Sequence, residues 1–169
     1  ARGQVAPLAH LWDLVEFPPA ADGPFDCIVC ADVLNHVPDE RPTLAGMAGR
    51  LRPGGRLILV VPAVPAMLGF RDQSLGHLRR FNRSQIHNLL DEASFDVERC
   101  RYWNLLAYPF YALIERGLGR RLNDATRFRA SRADSRLLGP LLRFWYTKVE
   151  KHVAFPLGLS FFVLARRRE

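Results

Sequence analysis

Two histidines, His36 and His77, are the side chains of this sequence best suited to proton transfer. An imidazole titrates close to neutral pH, so each could act as a general base toward an acidic hydrogen of a substrate. For His36 the alternative is an orienting hydrogen bond at the start of a helix. The sequence therefore predicts both histidines as candidate catalytic residues and leaves the role of His36 open.

Charged residues lie close to the second histidine. Asp72 precedes His77, and Arg79 and Arg80 follow it. Two adjacent guanidinium groups can hold a carboxylate or a phosphate through paired hydrogen bonds. The cluster predicts substrate binding by Asp72, His77, Arg79 and Arg80. An internal ion pair with Asp72 that folds the loop explains the same pattern equally well.

A Cys-x-x-Cys pattern at Cys27 and Cys30 suggests redox or zinc chemistry. Residues three apart on a strand point to opposite faces, however, so the two sulfurs would not converge. No second cysteine pair exists, and the five His show no metal spacing. We therefore predict core packing for these thiols and no metal site. Three cysteines in the whole chain favour a reducing, cytoplasmic setting.

Apolar patterning predicts the elements that position these groups. Phe25–Ala31 is a short apolar run, typical of a strand buried on both faces of a parallel sheet. Asp39–Leu51 has apolar residues at helical spacing, and Pro53-Gly54-Gly55 is expected to end that helix with a turn. Arg56–Val61 follows as a second buried strand. Strand, helix and strand in this order predict a right-handed parallel βαβ unit.

The remaining chain predicts further helices and strands around one long loop. Pro62–Phe81 has no clear periodicity and is predicted as a loop of the kind that often carries function. Asn82 and Gln85 have the spacing of a capping box at the start of a helix. The expected elements are a helix over Ser84–Ala93, a strand over Phe95–Tyr102, a basic helical region over 103–153 and a strand over Leu159–Ala165.

The length of the chain predicts its domain organisation. A chain of 169 residues fits one domain, with residues 10–102 as its α/β part, 103–153 as a helical insertion and 154–169 as a last strand with a basic tail.

The charge of the chain is concentrated in its second half. Residues 99–169 hold fifteen Lys and Arg against five Asp and Glu. Such an excess attracts phosphates or an anionic membrane surface, or it is simply a solvated arginine-rich face. The uncharged runs are too short to span a membrane.

Five stretches, in this order and spacing, resemble a class I S-adenosylmethionine-dependent methyltransferase with a Rossmann-like sheet, of the type 11/12-like bacterial subgroup. They are Trp12–Pro18, Asp32-Val33-Leu34-Asn35-His36-Val37 after the strand that begins Phe25-Asp26, Leu51-Arg52-Pro53-Gly54-Gly55, Asp72–Phe81 and Phe155–Ser160. The resemblance implies the α/β class, with a mostly parallel sheet and flanking helices.

The same resemblance implies which residues bind the cofactor, S-adenosylmethionine. It places Asp13 and Leu14 beside the adenine, where a carboxylate can accept a hydrogen bond from the exocyclic amine. For Asp13 the alternative is a turn-former. Ala31, Asp32, Val33 and His36 correspond to the turn that holds the methionine part of the cofactor. In an open α/β sheet, ligands lie at such carboxyl ends of strands.

Three departures from the family pattern stand out. The glycine-rich cofactor loop has no counterpart before Asp13, so the domain is expected to be N-terminally incomplete. Gly117-Leu-Gly119 does not follow a predicted strand and is no substitute. Asn35 replaces the usual Glu, and Ser94 replaces the Gly that usually ends a helix, where a left-handed serine would cost about 1 kcal/mol.

The resemblance implies methyl transfer to a small-molecule or lipid-like acceptor. The stretch 103–115 has Trp103, Leu106, Phe110 and either Leu113 or Ile114 at helical spacing, and it is predicted to cover the acceptor. An anionic group of the acceptor is expected near Arg79 and Arg80. The alternatives are a noncatalytic remnant that serves as an interaction module, and a methyltransferase that acts at RNA or at an anionic membrane through its basic half. Nucleic acid is the less favoured partner, and the sequence does not indicate an oligomeric state.

Overall fold

A four-stranded sheet forms the centre of the computed structural model, which describes residues 24–113 and 135–169. Its strands, in the order β1-β2-β4-β3, are β1 (Phe25–Ala31), β2 (Leu51–Pro62), β3 (Phe95–Trp103) and β4 (Ser160–Arg167). β1 and β2 are parallel, and β4 is antiparallel to both β2 and β3. Three of the four described strands therefore run in one direction, which confirms the α/β class and the mostly parallel sheet.

Helices flank the sheet and connect its strands. They are α1 (Glu40–Arg50), α2 (Phe70–Ser74), α3 (Arg83–Glu92), α4 (Ala107–Leu113) and α5 (Ser135–Phe144), with a 3₁₀ turn at Pro65–Met67 and a π-helical turn at Trp145–Glu150. The predicted capping box at α3 is present, because Asn82 Oδ1 accepts from the Gln85 amide at 2.8 Å and Gln85 Oε1 accepts from the Asn82 amide at 2.9 Å. None of the described helices is long and apolar enough to cross a membrane.

The hydrophobic core lies between one face of the sheet and helices α1 and α3. Strand alternation sends every second side chain of β2 and β4 into it, and the helices contribute their apolar stripes. Its fully buried members include Leu57, Leu59 and Val61 from β2, Phe161, Val163 and Ala165 from β4, Leu44 from α1, and Ile86 and Leu90 from α3. This core fixes the strand ends at which the site is built.

Strand β1 differs from the prediction that both of its faces are buried. Ile28 and Cys30 point into the core, whereas Val29 is 66% exposed. The described helices α1 and α3 cover only one face of the sheet. Cys27 is exposed and Cys30 is buried, so the two thiols lie on opposite faces as predicted, but core packing was wrong for Cys27. Burial raises the pKa of the Cys30 thiol to about 12, so it stays protonated.

Two connections also differ from their predictions. Pro53-Gly54-Gly55 does not lead into a later strand but forms a bulge inside β2, where Phe25 pairs with Leu51 and Cys27 already pairs with Arg56. Gly54 has a φ of 74°, a conformation that glycine adopts without steric cost. The predicted loop Pro62–Phe81 contains the 3₁₀ turn and α2, which the sequence missed because each is too short to show periodicity.

Ser94, between α3 and β3, has a left-handed backbone conformation with a φ of 63°. Ser94→Gly should raise the free energy of unfolding by about 1 kcal/mol, since the left-handed region penalises a Cβ. Chemical denaturation measures this change. Ser84→Gly, inside α3, is the matched control and should lower the free energy of unfolding. An equal loss of stability in both variants would contradict the strain at Ser94.

Candidate functional site

Backbone strain marks the carboxyl edge of the sheet. Asp32 follows β1, Val64 lies just after β2 and Asn104 follows β3, and their φ angles are 53°, 61° and 67°. The left-handed region is unusual for any residue with a Cβ and most unusual for a β-branched valine. Such residues cost about 1–3 kcal/mol each and cluster at functional sites. Their positions point to this edge, where ligands of open α/β sheets bind.

The turn after β1 contains four residues predicted to bind the cofactor. Ala31 and Asp32 are exposed, while Val33 and His36 are half-buried. The Asp32 amide donates to the Val60 carbonyl at 2.9 Å, and the His36 amide donates to the Val33 carbonyl at 2.9 Å. These bonds fix a tight, open turn at the strand end. The other two predicted cofactor residues, Asp13 and Leu14, lie outside the described residues.

Asn35 lies in the middle of this turn and is fully buried. Among the described residues, neither Oδ1 nor Nδ2 of its carboxamide has a hydrogen-bond partner. An unpaired buried polar group costs about 1–3 kcal/mol, so it calls for an explanation in a native structure. The departure from the family pattern at this position therefore coincides with a polar group that the described part of the chain leaves unsatisfied.

The segment after β2 leaves the sheet edge and returns to it. Arg80 Nη1 donates to the Ala63 carbonyl at 3.0 Å, and the Phe81 amide donates to the Pro62 carbonyl at 2.9 Å. The Leu78 amide donates to the Asn35 carbonyl at 2.7 Å. This last bond crosses from the segment to the turn after β1. As a result, His77 lies beside His36.

The two predicted catalytic histidines are in contact. Their ring centroids are 4.7 Å apart and the rings meet edge to face at 85°. Nδ1 of His36 lies 3.1 Å from the Gly76 carbonyl, and Nδ1 of His77 lies 2.9 Å from Oδ1 of Asp72. Both partners only accept, so each Nδ1 carries the hydrogen and each neutral ring keeps its lone pair on Nε2. Neither Nε2 has a partner among the described residues.

Asp72 connects the parts of this site. It is 1% exposed, and its Oδ2 accepts from the Gly69 amide at 3.0 Å, from Arg80 Nε at 2.9 Å and from the Tyr111 hydroxyl at 2.7 Å. Burial alone would raise the pKa of this carboxyl. The hydrogen bonds from Arg80, Tyr111, Gly69 and His77 outweigh that effect and hold the pKa of Asp72 below its usual value. Asp72 is therefore an anion at neutral pH.

Both predicted substrate-binding arginines hold groups of the protein. Arg80 is 7% exposed and makes the internal ion pair with Asp72 that the sequence left open. Arg79 forms an ion pair with Glu40, and its Nη2 donates to the Pro38 carbonyl at 2.8 Å. These contacts tie the segment to the start of α1. In this arrangement the arginines organise the loop.

A cavity of about 290 Å³ lies between α1 and α3, away from the histidine pair. Arg41, Arg79 and Glu92 line part of it, and Arg41 Nε pairs with Glu92 at 2.8 Å. Neither histidine reaches this cavity. Within residues 24–113 and 135–169, no group of three or more His, Cys, Asp or Glu is placed to hold a metal ion.

Sequence reasoning missed Tyr111, Val64 and Asn104. The predicted apolar face of the stretch 103–115 included Leu113, but Leu113 is 63% exposed and Tyr111 is 7% exposed. The alternative that assigned Leu113 to this face was therefore wrong. The burial of Tyr111 is explained by the partner of its hydroxyl on α2, which helical periodicity cannot reveal. Ile114 and the side chain of Phe110, also assigned to that face, lie outside the described residues. A tyrosine within an apolar stretch was the one available signal, since a buried Tyr hydroxyl usually has a partner.

Comparison with known proteins identifies a family for the sequence and similar folds for the structure. A model of a methyltransferase domain family matches residues 7–99. A candidate methyltransferase from Bacillus halodurans is similar in structure, with a TM-score of 0.53 and 17% identity over 94% of this chain and 70% of that one. An S-adenosylmethionine-dependent methyltransferase from Mesorhizobium loti has a TM-score of 0.52 and 14% identity over 92% and 67%. Among curated proteins, none matches the sequence significantly.

A third similar structure shows how little the fold by itself says about the reaction. The [4+2]-cyclase SpnF has a TM-score of 0.50 and 16% identity, over 94% of this chain and 55% of that one. At such identities the structural likeness establishes the fold alone. The family match, in contrast, spans more than half of the chain and covers the turn after β1, both histidines and α3. The chain belongs to the methyltransferase domain family, and it is an S-adenosylmethionine-dependent methyltransferase domain.

Proposed function

We propose that this domain transfers the methyl group of S-adenosylmethionine to an apolar, lipid-like acceptor, and that Nε2 of His77 takes the proton that the acceptor loses. The observation that carries the proposal is the pair of Asp72 and His77 at the carboxyl edge of the sheet. A buried carboxylate 2.9 Å from Nδ1 orients the ring and leaves Nε2 as the basic atom.

The carboxylate distinguishes the two histidines. When an imidazole takes up a proton it becomes a cation, and an adjacent anion stabilises that cation. His77 has such an anion in Asp72, whereas Nδ1 of His36 faces the neutral carbonyl of Gly76 at 3.1 Å. We therefore assign the base to His77. His36 is assigned to orientation, since it packs against the His77 ring and lies in the turn predicted to bind the cofactor.

The turn after β1 suits a polar ligand such as the cofactor. Ala31 and Asp32 are exposed there, Asp32 is held in a strained conformation, and the buried carboxamide of Asn35 has no partner within residues 24–113 and 135–169. Ala31, Asp32, Val33 and His36 would hold the methionine part of S-adenosylmethionine, and Asp13 and Leu14 would hold its adenine. When bound, the cofactor supplies an electrophilic methyl group attached to a sulfonium sulfur.

Proton removal by His77 completes the balance of the reaction. A lone pair on the acceptor forms the new bond to the methyl carbon, and the electron pair of the broken carbon–sulfur bond stays on sulfur. The acceptor's proton passes to Nε2 of His77 and from there to water. Positioning of the two reactants supplies much of the acceleration, and a well-placed base adds about 10²–10⁴-fold.

Exposed apolar side chains in the segment that carries His77 support a lipid-like acceptor. Leu68, Phe70, Leu75 and Leu78 are 44%, 59%, 53% and 52% exposed, and all belong to the segment that carries His77. On α4, whose Tyr111 contacts Asp72, Leu113 is 63% exposed. Clustered exposed apolar residues mark ligand or membrane surfaces. An anionic group bound by Arg79 and Arg80 is not part of this proposal, because Glu40 and Asp72 hold those guanidinium groups.

The role of His77 is tested by His77→Gln in the full-length natural protein. We expect kcat for methyl transfer from tritiated S-adenosylmethionine to fall by about 100-fold or more, because the base is lost. Cofactor affinity, measured by isothermal titration, should stay nearly unchanged, since His77 does not belong to the predicted cofactor turn. The matched control is His87→Gln, an exposed histidine on α3. Wild-type turnover by a folded His77→Gln protein would overturn the proposed base and favour a noncatalytic role for the histidine.

The acceptor class is tested with alcohols, carboxylic acids and amines that carry alkyl chains of increasing length. Each additional buried CH₂ group contributes about 0.8 kcal/mol, so kcat/KM should rise about fourfold per carbon until the apolar surface is filled. Leu75→Asn should weaken this dependence on chain length. Val153→Asn, an exposed apolar position outside the segment, should leave it unchanged. A wild-type protein that shows no dependence on chain length would contradict a lipid-like acceptor while leaving methyl transfer itself intact.

A further inference from the structure

The two carboxylate oxygens of Asp72 have separate partners. Oδ1 faces Nδ1 of His77 at 2.9 Å, while Oδ2 accepts the three hydrogen bonds from Gly69, Arg80 and Tyr111. Three donors on one oxygen fix the plane of the carboxylate, so that the other oxygen is aimed at the imidazole. The three donors to Oδ2 therefore control the orientation of Oδ1 toward His77 and the negative charge that the carboxylate presents to the imidazole.

Tyr111 differs from the other two donors in its place in the fold. Gly69 and Arg80 belong to the same short segment as Asp72, whereas Tyr111 is 39 residues away in sequence and lies on α4. Its hydrogen bond, at 2.7 Å, is the shortest of the three to Oδ2. Its ring also lies under the Arg80 guanidinium, whose carbon is 4.6 Å from the ring centroid. The tyrosine thus joins the helix beyond β3 to both members of the buried ion pair.

We infer that Tyr111 is a positioning residue that acts on His77 through Asp72. Its hydrogen bond couples the position of α4 to the basicity of the His77 imidazole. The inference rests on the proposed function of His77 for its catalytic consequence. The coupling itself needs only the observed contacts. A donor to Oδ2 withdraws negative charge from the carboxylate, and a less negative carboxylate stabilises the imidazolium of His77 less.

The sign of the effect follows from this chain of contacts. With the hydroxyl removed, Asp72 offers more negative charge to His77, so the pKa of the imidazole should rise. With a more acidic hydroxyl, the hydrogen bond to Oδ2 strengthens and the pKa should fall. Asp72 on α2 and His36 after β1 contact His77 directly. Arg80 and Tyr111 contact Asp72, and Arg71 on α2 faces the Tyr111 ring. Of these, only Tyr111 changes in the experiment.

The test is a pH titration of the His77 ring by NMR in the intact protein, with the resonance assigned from His77→Gln. Tyr111→Phe should raise the pKa of His77 by about half a unit or more. Replacement of Tyr111 by 3-fluorotyrosine, which keeps the ring and strengthens the donor, should lower it. Tyr108→Phe is the matched control, because Tyr108 lies on the same helix without a bond to Asp72, and it should leave the titration unchanged.

The outcomes separate the inference from the proposed function. An unchanged titration with 3-fluorotyrosine in place of Tyr111 would overturn the coupling, even if Tyr111→Phe failed to fold and even if His77→Gln abolished methyl transfer. A shift of opposite sign in the two Tyr111 variants would establish the coupling. If the coupling is established but the His77→Gln variant keeps full activity, the proposed base is wrong and the coupling still stands. If the coupling and the proposed base are both correct, the acid limb of the kcat/KM profile moves with the His77 pKa in the Tyr111 variants.

Discussion

The buried carboxylate of Asp72 is the interaction on which the carboxyl edge of the sheet depends. A lone carboxylate that is 1% exposed would be strongly destabilised by its loss of water. Here four donors replace the water, and each comes from a different backbone or side-chain position of the fold. Removal of any one donor leaves part of the charge unpaired. The segment after β2, helix α4 and the histidine pair are therefore mutually dependent.

Backbone strain and an unpaired side-chain amide occur together at the carboxyl edge of the sheet. The turns after β1, β2 and β3 each contain a residue with a Cβ in the left-handed region, and the buried side-chain carboxamide of Asn35 has no hydrogen-bond partner among the described residues. The described residues also form a packed core of aliphatic and aromatic side chains that can sustain such local costs. The core thus holds the strained edge at which we propose that the ligands bind. The Glu150 carboxylate serves this edge in a similar way, since it accepts from the Leu105 amide at 2.8 Å and from Trp145 Nε1 at 3.2 Å.

The proposed acceptor site combines this polar centre with exposed apolar side chains. His77 is 15% exposed in its side chain, so its ring is shielded but reachable. Leucine and phenylalanine side chains of the same segment remain exposed. An acceptor with a polar reacting atom and an apolar chain would fit both the histidine and the apolar side chains. Burial of its chain would favour binding, and its reacting atom would contact the base. The fold alone does not choose this reaction, as its similarity to a [4+2]-cyclase shows.

The sequence by itself determined the features that arise from short-range physics. Capping-box spacing identified the start of α3, and strand alternation placed Cys27 and Cys30 on opposite faces. The family pattern marked Ser94 as a position that glycine usually occupies, and its φ is positive. Family motifs indicated the α/β fold, the cofactor and the residues after β1. Those features need only neighbouring residues or a shared motif, so they can be read before the chain is folded.

Only the tertiary structure decided which side chains meet. The sequence offered two candidate histidines, with an orienting role as the alternative for His36, and two interpretations of the Asp72 cluster. In the fold the Asp72 carboxylate contacts His77 and forms the ion pair with Arg80. Tyr111 contacts that carboxylate from 39 residues away, and Leu113, one of two alternatives for the apolar face, is exposed. Such contacts depend on the packing of α2 and α4 at the sheet edge. Periodicity reports which face of an element is apolar, but not which partner a buried polar atom will find.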